Sequence, residues 1–513
     1  MEERTKREAA IVLSAVLLLS LVAGVALTQR GITPTVGTIA PLSSAYMQYL
    51  QNKAAGKIVW QTPDGHGLGY APPPIPLSKR VAPTFLPAEI FPATYDLRTL
   101  GKVSPVESQD PCGTCWDFAT FGSLESYLLP SSTTRFSEND LKNGLDFHQI
   151  PCCRNGESAE AVTAYLARWG INETDANGKP IHGGPVSLSC DPYNPGSCTS
   201  PTTCPLVAHV QNVYFLPLKT SPTDNNVIKS AIMTYGGVWA WMDWVGPTQG
   251  TTPYYNAIQQ HTTNPSSPIA AYYENTENVS NASGPHAVTI VGWDDNYPAT
   301  NFSTPPPGNG AFIVKNSWGT DWGQQGFFYV SYYDISMGYN SLAVFTAEPT
   351  TNYQTNYQYD PFGFCDSWGS TSTAYGANVF TATSDGGLKA ISFWTVEHGT
   401  QYTANVYVNP AANDPTSGTL KSTISGTETY AGYHTESLNT TVPLTKGETF
   451  AVVIKFTSPG ADSPVPLQTR DMDYDPAVPA TPSGVSFVSL NGATWTDVTT
   501  FGQCDAVCIH AFA

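Results

Sequence analysis

The sequence predicts an α+β domain followed by an all-β domain, on three observations. A turn rich in Gly and Cys, QDPCGTCW from Gln109, runs into the apolar helix-like stretch FATFGSLESYLL. Two later runs, GPHAVTIVGWDDN and FIVKNSWGTDWGQQGFFYVSYY, carry strand patterns. Beyond about Thr350 the composition turns to Thr, Ser, Gly, Tyr and Asn, with short alternating apolar runs (LKAISFWTV, YTANVYVNP, ETFAVVIKFTS, GVSFVSL) between turn residues, the pattern of a β-sandwich or barrel. The 513 residues allow roughly three domains of about 150 each.

Each element also carries chemistry. A thiol attacks carbonyl carbon only as the thiolate, and Cys115 stands where the turn enters the helix, so unpaired N–H groups and the helix dipole favour its ionised form. Gln109 is placed to supply a side-chain N–H which, with the backbone N–H of Cys115, makes an oxyanion hole. A lone C-x-x-C equally suits a disulfide, a metal clip or a redox pair. His286 at the start of one strand run and Asn316, followed by a second strand pattern, decide against that, because a Cys/His/Asn set gives the thiol a base and the base an orienting partner.

QDPCGTCW resembles the nucleophile loop of the papain/cathepsin-type cysteine peptidases, whose signature is C-G-[SA]-C-[WY], with Thr114 in the third position here. The His286 and Asn316 blocks resemble that family's later motifs, in the right order. The resemblance implies a two-lobed fold, one lobe helical and one β-barrel-like, over residues 92–349, and a lectin-like β-sandwich over 350–513, as in secreted bacterial and archaeal peptidases of this type. It implies that Trp318 shields the His286–Asn316 hydrogen bond from water. Cys153-Arg154-Asn155-Gly156 is similar to the family's C-N-G-G turn, which implies a Cys112–Cys153 disulfide and a Gly156 backbone that pairs with substrate. The stretch between Cys115 and His286 is longer than the family's usual 130–150 or so positions. The excess is placed at Gly178 to Cys204, a loop whose three cysteines read as disulfide staples. A zinc site there lacks a C-x-x-C or a histidine pair.

Ala9 to Thr28 is uncharged and follows Arg4, Lys6 and Arg7, so residues 1–30 read as an export signal, either a cleaved signal peptide or a retained membrane anchor. Residues 31–91 hold one helical pattern, SAYMQYLQNKAAGK, and a Gly/Pro-rich passage, GHGLGYAPPPIPLSKRVAP, which suits a plain linker or a chain laid along a cleft. The resemblance favours an inhibitory prosegment. Charged residues are only 12% of the chain and the net charge is −18, which disfavours nucleic acid and anionic lipid as partners. Ten cysteines in an exported chain read mainly as disulfides. Asp117, in the first turn after the thiol, is expected to carry a charge that repels the thiolate and raises its pKa.

The expectation is therefore an extracellular cysteine endopeptidase acting on protein or peptide substrates, with Gln109, Cys115, His286 and Asn316 as its chemistry, no cofactor and no metal. The alternative is a cell-surface adhesin or glycan-binding protein whose papain-like domain is catalytically weak, its C-terminal domain holding a glycan or cell-surface ligand.

Overall fold

The computed structural model describes residues 36–62, 65–79, 90–145, 153, 156–169, 183–245, 270–275, 283–302, 304–469, 480–502 and 504–513. The leader 1–30, Cys152 and the Arg154–Asn155 part of the C-R-N-G turn lie outside them. No helix among the described residues is long and apolar enough to cross a membrane. Residues 37–513 form one compact body.

The run beginning at Cys115 is a helix, Cys115–Leu128, buried along nearly its whole length. A helix without an outward polar stripe has to be enclosed on all sides. Its one buried glutamate, Glu125, is matched by Arg135 Nε at 2.9 Å and Phe136 N at 3.0 Å. Gly122 brings the helix against the strand Ser283–Asp294, since a Cβ there would lie 2.5 Å from Thr289 Oγ1. Thr289 Oγ1 in turn donates to Ala119 O at 3.2 Å. The helices Glu138–Gly144 and Ala159–Ala167 complete a core around Trp116, Phe121, Phe136, Leu141, Val162 and Tyr165. A second core around Val288, Ile290, Trp293, Phe312, Val314 and Phe328 fills the sheet side. These are the helical and β lobes, and the cleft runs between them.

In the β lobe the strand Ser283–Asp294 pairs antiparallel with Val238–Val245, Met242 opposite His286, and with Ala311–Lys315, Thr289 opposite Lys315. Asn316 follows the latter strand directly, so sheet register fixes how His286 and Asn316 face each other. The C-terminal residues form the expected β-sandwich. Along Thr400–Val408 burial alternates strictly, with Tyr402, Ala404, Val406 and Val408 inward. Phe393 from the facing sheet meets Tyr402 at 4.7 Å and Phe456 at 5.9 Å between ring centres.

The sequence separates the two domains, yet the structure runs one twelve-stranded sheet through both. The join is between Ala431–Leu444 of the C-terminal domain and His209–Phe215 of the β lobe, with Gly432 opposite Tyr214. Gly432 has φ +141°, and a Cβ on it would lie 2.0 Å from Val213 O, so only glycine passes at this crossing. Gly432→Val is expected to destabilise the whole body by at least about 2 kcal/mol, read as a shift of the denaturant midpoint. A loss confined to the C-terminal half would show that the two halves fold independently.

Candidate active site

Cys115 is the first residue of its helix, and its Sγ accepts from Ala287 N at 3.2 Å. On the strand, His286 Nε2 lies 2.8 Å from Asn316 Oδ1, which also accepts from Ser317 N at 2.8 Å. The amide oxygen therefore faces the ring and Nε2 is the donor. His286 Nδ1 keeps its lone pair, has no hydrogen-bond partner, and is the nitrogen free to take a thiol proton. Trp318 stacks on His286 at 4.7 Å, with Trp244 edge-on to it at 4.8 Å, so the His286–Asn316 bond is closed to water. Gln109 is fully buried, and its orientation is set by Ser317 Oγ, which donates to Oε1 at 2.5 Å and turns Nε2 toward the cleft.

The nucleophile loop is braced from two directions. A disulfide joins Cys112 to Cys153, with Cα atoms 4.6 Å apart. From the other side comes the long inserted loop, stapled by Cys190–Cys204, a bond that withdraws both sulfurs from metal binding. Its Tyr193 hydroxyl donates to Gln109 O at 2.8 Å and sits 2.9 Å from Thr114 Oγ1. That contact accounts for Thr114 where the family has a smaller residue. Tyr193 and Ser317 carry no sequence signal of their own, because each acts through a partner distant in the chain.

The cleft is filled by the chain itself. Gln109 Nε2 donates to Gly67 O at 3.0 Å and to Cys112 O at 2.7 Å, and Trp318 Nε1 donates to Gly67 O at 3.2 Å. Cys115 Sγ donates to Gly69 O at 3.2 Å. A Cβ on Gly67 would lie 1.8 Å from Cys112 O, and one on Gly69 would lie 1.7 Å from Gly113 O. The alternating glycines of GHGLGY are therefore what lets the backbone lie on the nucleophile loop. Tyr70 packs on Trp239 and Trp241, its carbonyl carbon 2.9 Å from where a Gly156 Cβ would be, and Ala71 N reaches Glu157 O at 3.4 Å. His66 stacks on Trp318 at 4.6 Å and bonds Asp110 at 2.7 Å, and Asp110 also accepts from Gly67 N at 2.9 Å. None of these residues, His66 to Ala71, stands out in the sequence beyond the Gly/Pro-rich composition.

Enclosure decides the electrostatics. Burial pushes the Cys115 thiol up to about 12, against the smaller opposing pull of the Ala287 and Gly69 backbone contacts. Burial likewise pushes His286 down to about 4, against its Asn316 hydrogen bond. Enclosure thus favours the neutral form of both groups. Asp117 departs from the sequence expectation. It is fully buried, its carboxyl oxygens have no hydrogen-bond partner, and burial, with Glu138 nearby, raises its pKa well above the ordinary range. The carboxyl still raises the Cys115 thiol, in the sense the sequence suggests, but as a lesser cause than burial.

Residues 91–346 match the family model described as papain family cysteine protease, and residues 356–513 match that of a lectin like domain. The first of these segments belongs to the papain family. The chain is 27% identical over 281 residues to cysteine proteinase 15A of Pisum sativum, covering 53% of this chain and 64% of that one. It is 28% identical over 245 residues to pro-cathepsin H of Mus musculus, covering 47% and 60%. The chain thus spans less than two thirds of the length of these papain-family relatives. Among solved structures, the cysteine protease and lectin-like domains of Cwp84, a surface layer associated protein of Clostridium difficile, share the fold with a TM-score of 0.72 at 24% identity, over 94% of this chain and 99% of that one. The Cwp84 protease after propeptide cleavage gives 0.64 at 26% identity, over 82% and 98%.

At pH 7 a small alkylating reagent should label Cys115 at least about tenfold faster in Gly69→Val than in the unaltered chain, because the valine expels the covering backbone and rehydrates the thiol. Adding Asp117→Asn should move the midpoint of the labelling curve by less than about half a pH unit. A larger downward shift would restore Asp117 as a charged neighbour.

Proposed function

We propose that the chain is an exported cysteine endopeptidase made in a self-covered form, with residues 31–91 as the covering prosegment. The observation that carries the reading is the joint placement of Cys115 at a helix start, His286 with Nδ1 free, Asn316 on its Nε2 and a Gln109 amide aimed into the same cleft. Once the cleft opens, water relieves the burial that keeps both groups neutral, and the Cys115 proton passes to His286 Nδ1. The thiolate forms a C–S bond to the peptide carbonyl. Its oxygen takes the negative charge and is held by Gln109 Nε2–H and Cys115 N–H, in the place of the carbonyl contacts Gln109 now makes. His286 gives its proton to the leaving nitrogen as the C–N bond breaks. Water then attacks the thioester, His286 takes that water's proton, and the acid product leaves as the thiolate returns.

The covering segment survives beside this machinery because of its direction. It passes Gln109 and Trp318 first, at Gly67, then the thiol at Gly69, and reaches Gly156 and Glu157 last. A substrate whose acyl part pairs with Gly156, as the family likeness implies, runs the opposite way. The reversed chain presents no correctly oriented carbonyl, and its Gly67 carbonyl occupies the Gln109 amide that an oxyanion needs.

Export is supported by the disulfides Cys112–Cys153 and Cys190–Cys204, which persist in oxidising surroundings, and by the likeness to a surface layer associated protein. An extracellular or surface location follows, with residues 1–30 as signal or anchor. The lectin-like match supports a glycan or cell-surface ligand for the C-terminal domain. The adhesin reading with a weak catalytic site is less favoured, because the four reacting groups are all present and mutually oriented.

In chain whose cleft has been opened by Gly69→Val, Cys115→Ala should abolish peptide hydrolysis with the fold intact. His286→Ala should cost nearly as much and Asn316→Ala less, since nucleophile and base act as a unit. Hydrolysis by the Cys115→Ala form at the parent rate would overturn the assignment.

A further inference from the structure

The residues that cover the cleft are also fastened far from it. Thr38–Ile39 is added as an antiparallel strand to the edge of Asp366–Gly369, Thr38 opposite Gly369 and Ile39 opposite Trp368. Ala40 N donates to Ser367 O at 2.8 Å, extending the ladder. Gly37 lies flat on the Trp368 indole, where a Cβ would be 2.0 Å from Cζ2. The helix Ser44–Ala54 follows, and its Tyr46, Tyr49 and Leu50 line a small cavity together with Phe362 and Phe364. Beyond the cleft, Lys79 Nζ reaches Glu397 Oε2 at 2.8 Å and Val396 O at 3.2 Å. All these acceptors and rings lie in the segment matched as lectin-like, residues 356–513.

We propose that the lectin-like domain is the docking surface for the N-terminal segment, and that the strand added at Asp366–Gly369 is the anchor that keeps Gly67–Tyr70 in the cleft. The inference rests on the reading of those residues as a cleft cover. Four residues, even with the Leu68 and Tyr70 side chains buried, are a short contact that binds weakly alone. An anchored chain returns them to the cleft at high effective concentration, so the two weak contacts act as one strong one. Strand addition suits the anchor because main-chain hydrogen bonds supply the hold, while Gly37 on Trp368 sets the register. A C-terminal domain in contact with its own chain in this way is part of the inhibitor, and an extended partner that competes for the Asp366–Gly369 edge would release the enzyme.

The test uses the full-length chain and the rate at which iodoacetamide labels Cys115 at pH 7. Gly37→Val drives a side chain into Trp368, and Ala40→Pro deletes the hydrogen bond to Ser367 at the edge of the sheet. Both are expected to speed labelling about fivefold or more with the thermal midpoint of the body retained. Gly37→Val combined with Gly69→Val should label no faster than Gly69→Val alone, since both act on one equilibrium. If Gly69→Val labels fast while both anchor variants label at the unaltered rate, the anchor is inert and the proposal is overturned, with the cleft cover still standing. If Gly69→Val itself labels slowly, the cover reading fails. Should Gly37→Val unfold the chain, Ala40→Pro decides alone.

Discussion

The exclusion of water from one thiol and one imidazole is the constraint on which the rest of this structure turns. A thiolate and an imidazolium are stable only where solvent or fixed dipoles replace their hydration. Here Gly67 to Tyr70 removes the solvent, and the Gln109 amide spends its donors on Gly67 and Cys112 carbonyls. Covering the site therefore acts on chemistry as well as on access. Burial favours the protonated thiol and the neutral imidazole, so the cover works against the ion pair as well as against entry.

That economy with charge extends through the catalytic lobes. The chain carries few ionisable groups, and several of them sit inside. Glu125 meets Arg135, which also reaches Glu107 at 3.4 Å, and Lys315, the residue before Asn316, bonds Ser104 Oγ at 2.9 Å. Burial lowers the Lys315 pKa, the opposite sense to its effect on Glu138, which is pushed up to about 8. These groups lie behind the His286–Asn316 bond, lining a water-sized cavity with Glu107, Glu125 and Asn316 on its wall. Lys315, next to Asn316, and Glu125, on the helix that begins at Cys115, thus line one cavity from the two sides of the cleft.

The second organising feature is the sheet common to both domains. Continuity from Gly386–Thr395 through Ala431–Leu444 and His209–Phe215 to Ser283–Asp294 places the lectin-like domain and His286 on one hydrogen-bonded surface. Beside that join and side-chain contacts such as Arg168 Nε to Pro361 O and Trp169 on Phe512, the N-terminal residues from Gly37 to Lys79 also bridge the C-terminal domain and the papain-family lobes.

The sequence by itself determined the classes of fold and nominated the residues for the chemistry. Cys115, His286 and Asn316 are read from motifs because a nucleophile at a helix start and partners at strand ends need particular residues within a few positions. The β-sandwich is read from alternation, because a half-buried strand repeats every two residues. Tertiary structure alone decided the rest. Asp117 is an acid in the first turn of a helix, and nothing near it in the chain says that it is fully buried with Glu138 nearby, which raises its pKa. Thr114 is a small departure until Tyr193, far along the chain, supplies its partner. GHGLGY looks like a linker, since its glycines are required only by the carbonyls of Cys112 and Gly113 that they lie against. Gly432 is one glycine among 43, and its necessity comes from a strand more than two hundred residues away. Local pattern reports what a segment is; which surface it meets is set by contacts between segments that carry no mark of each other.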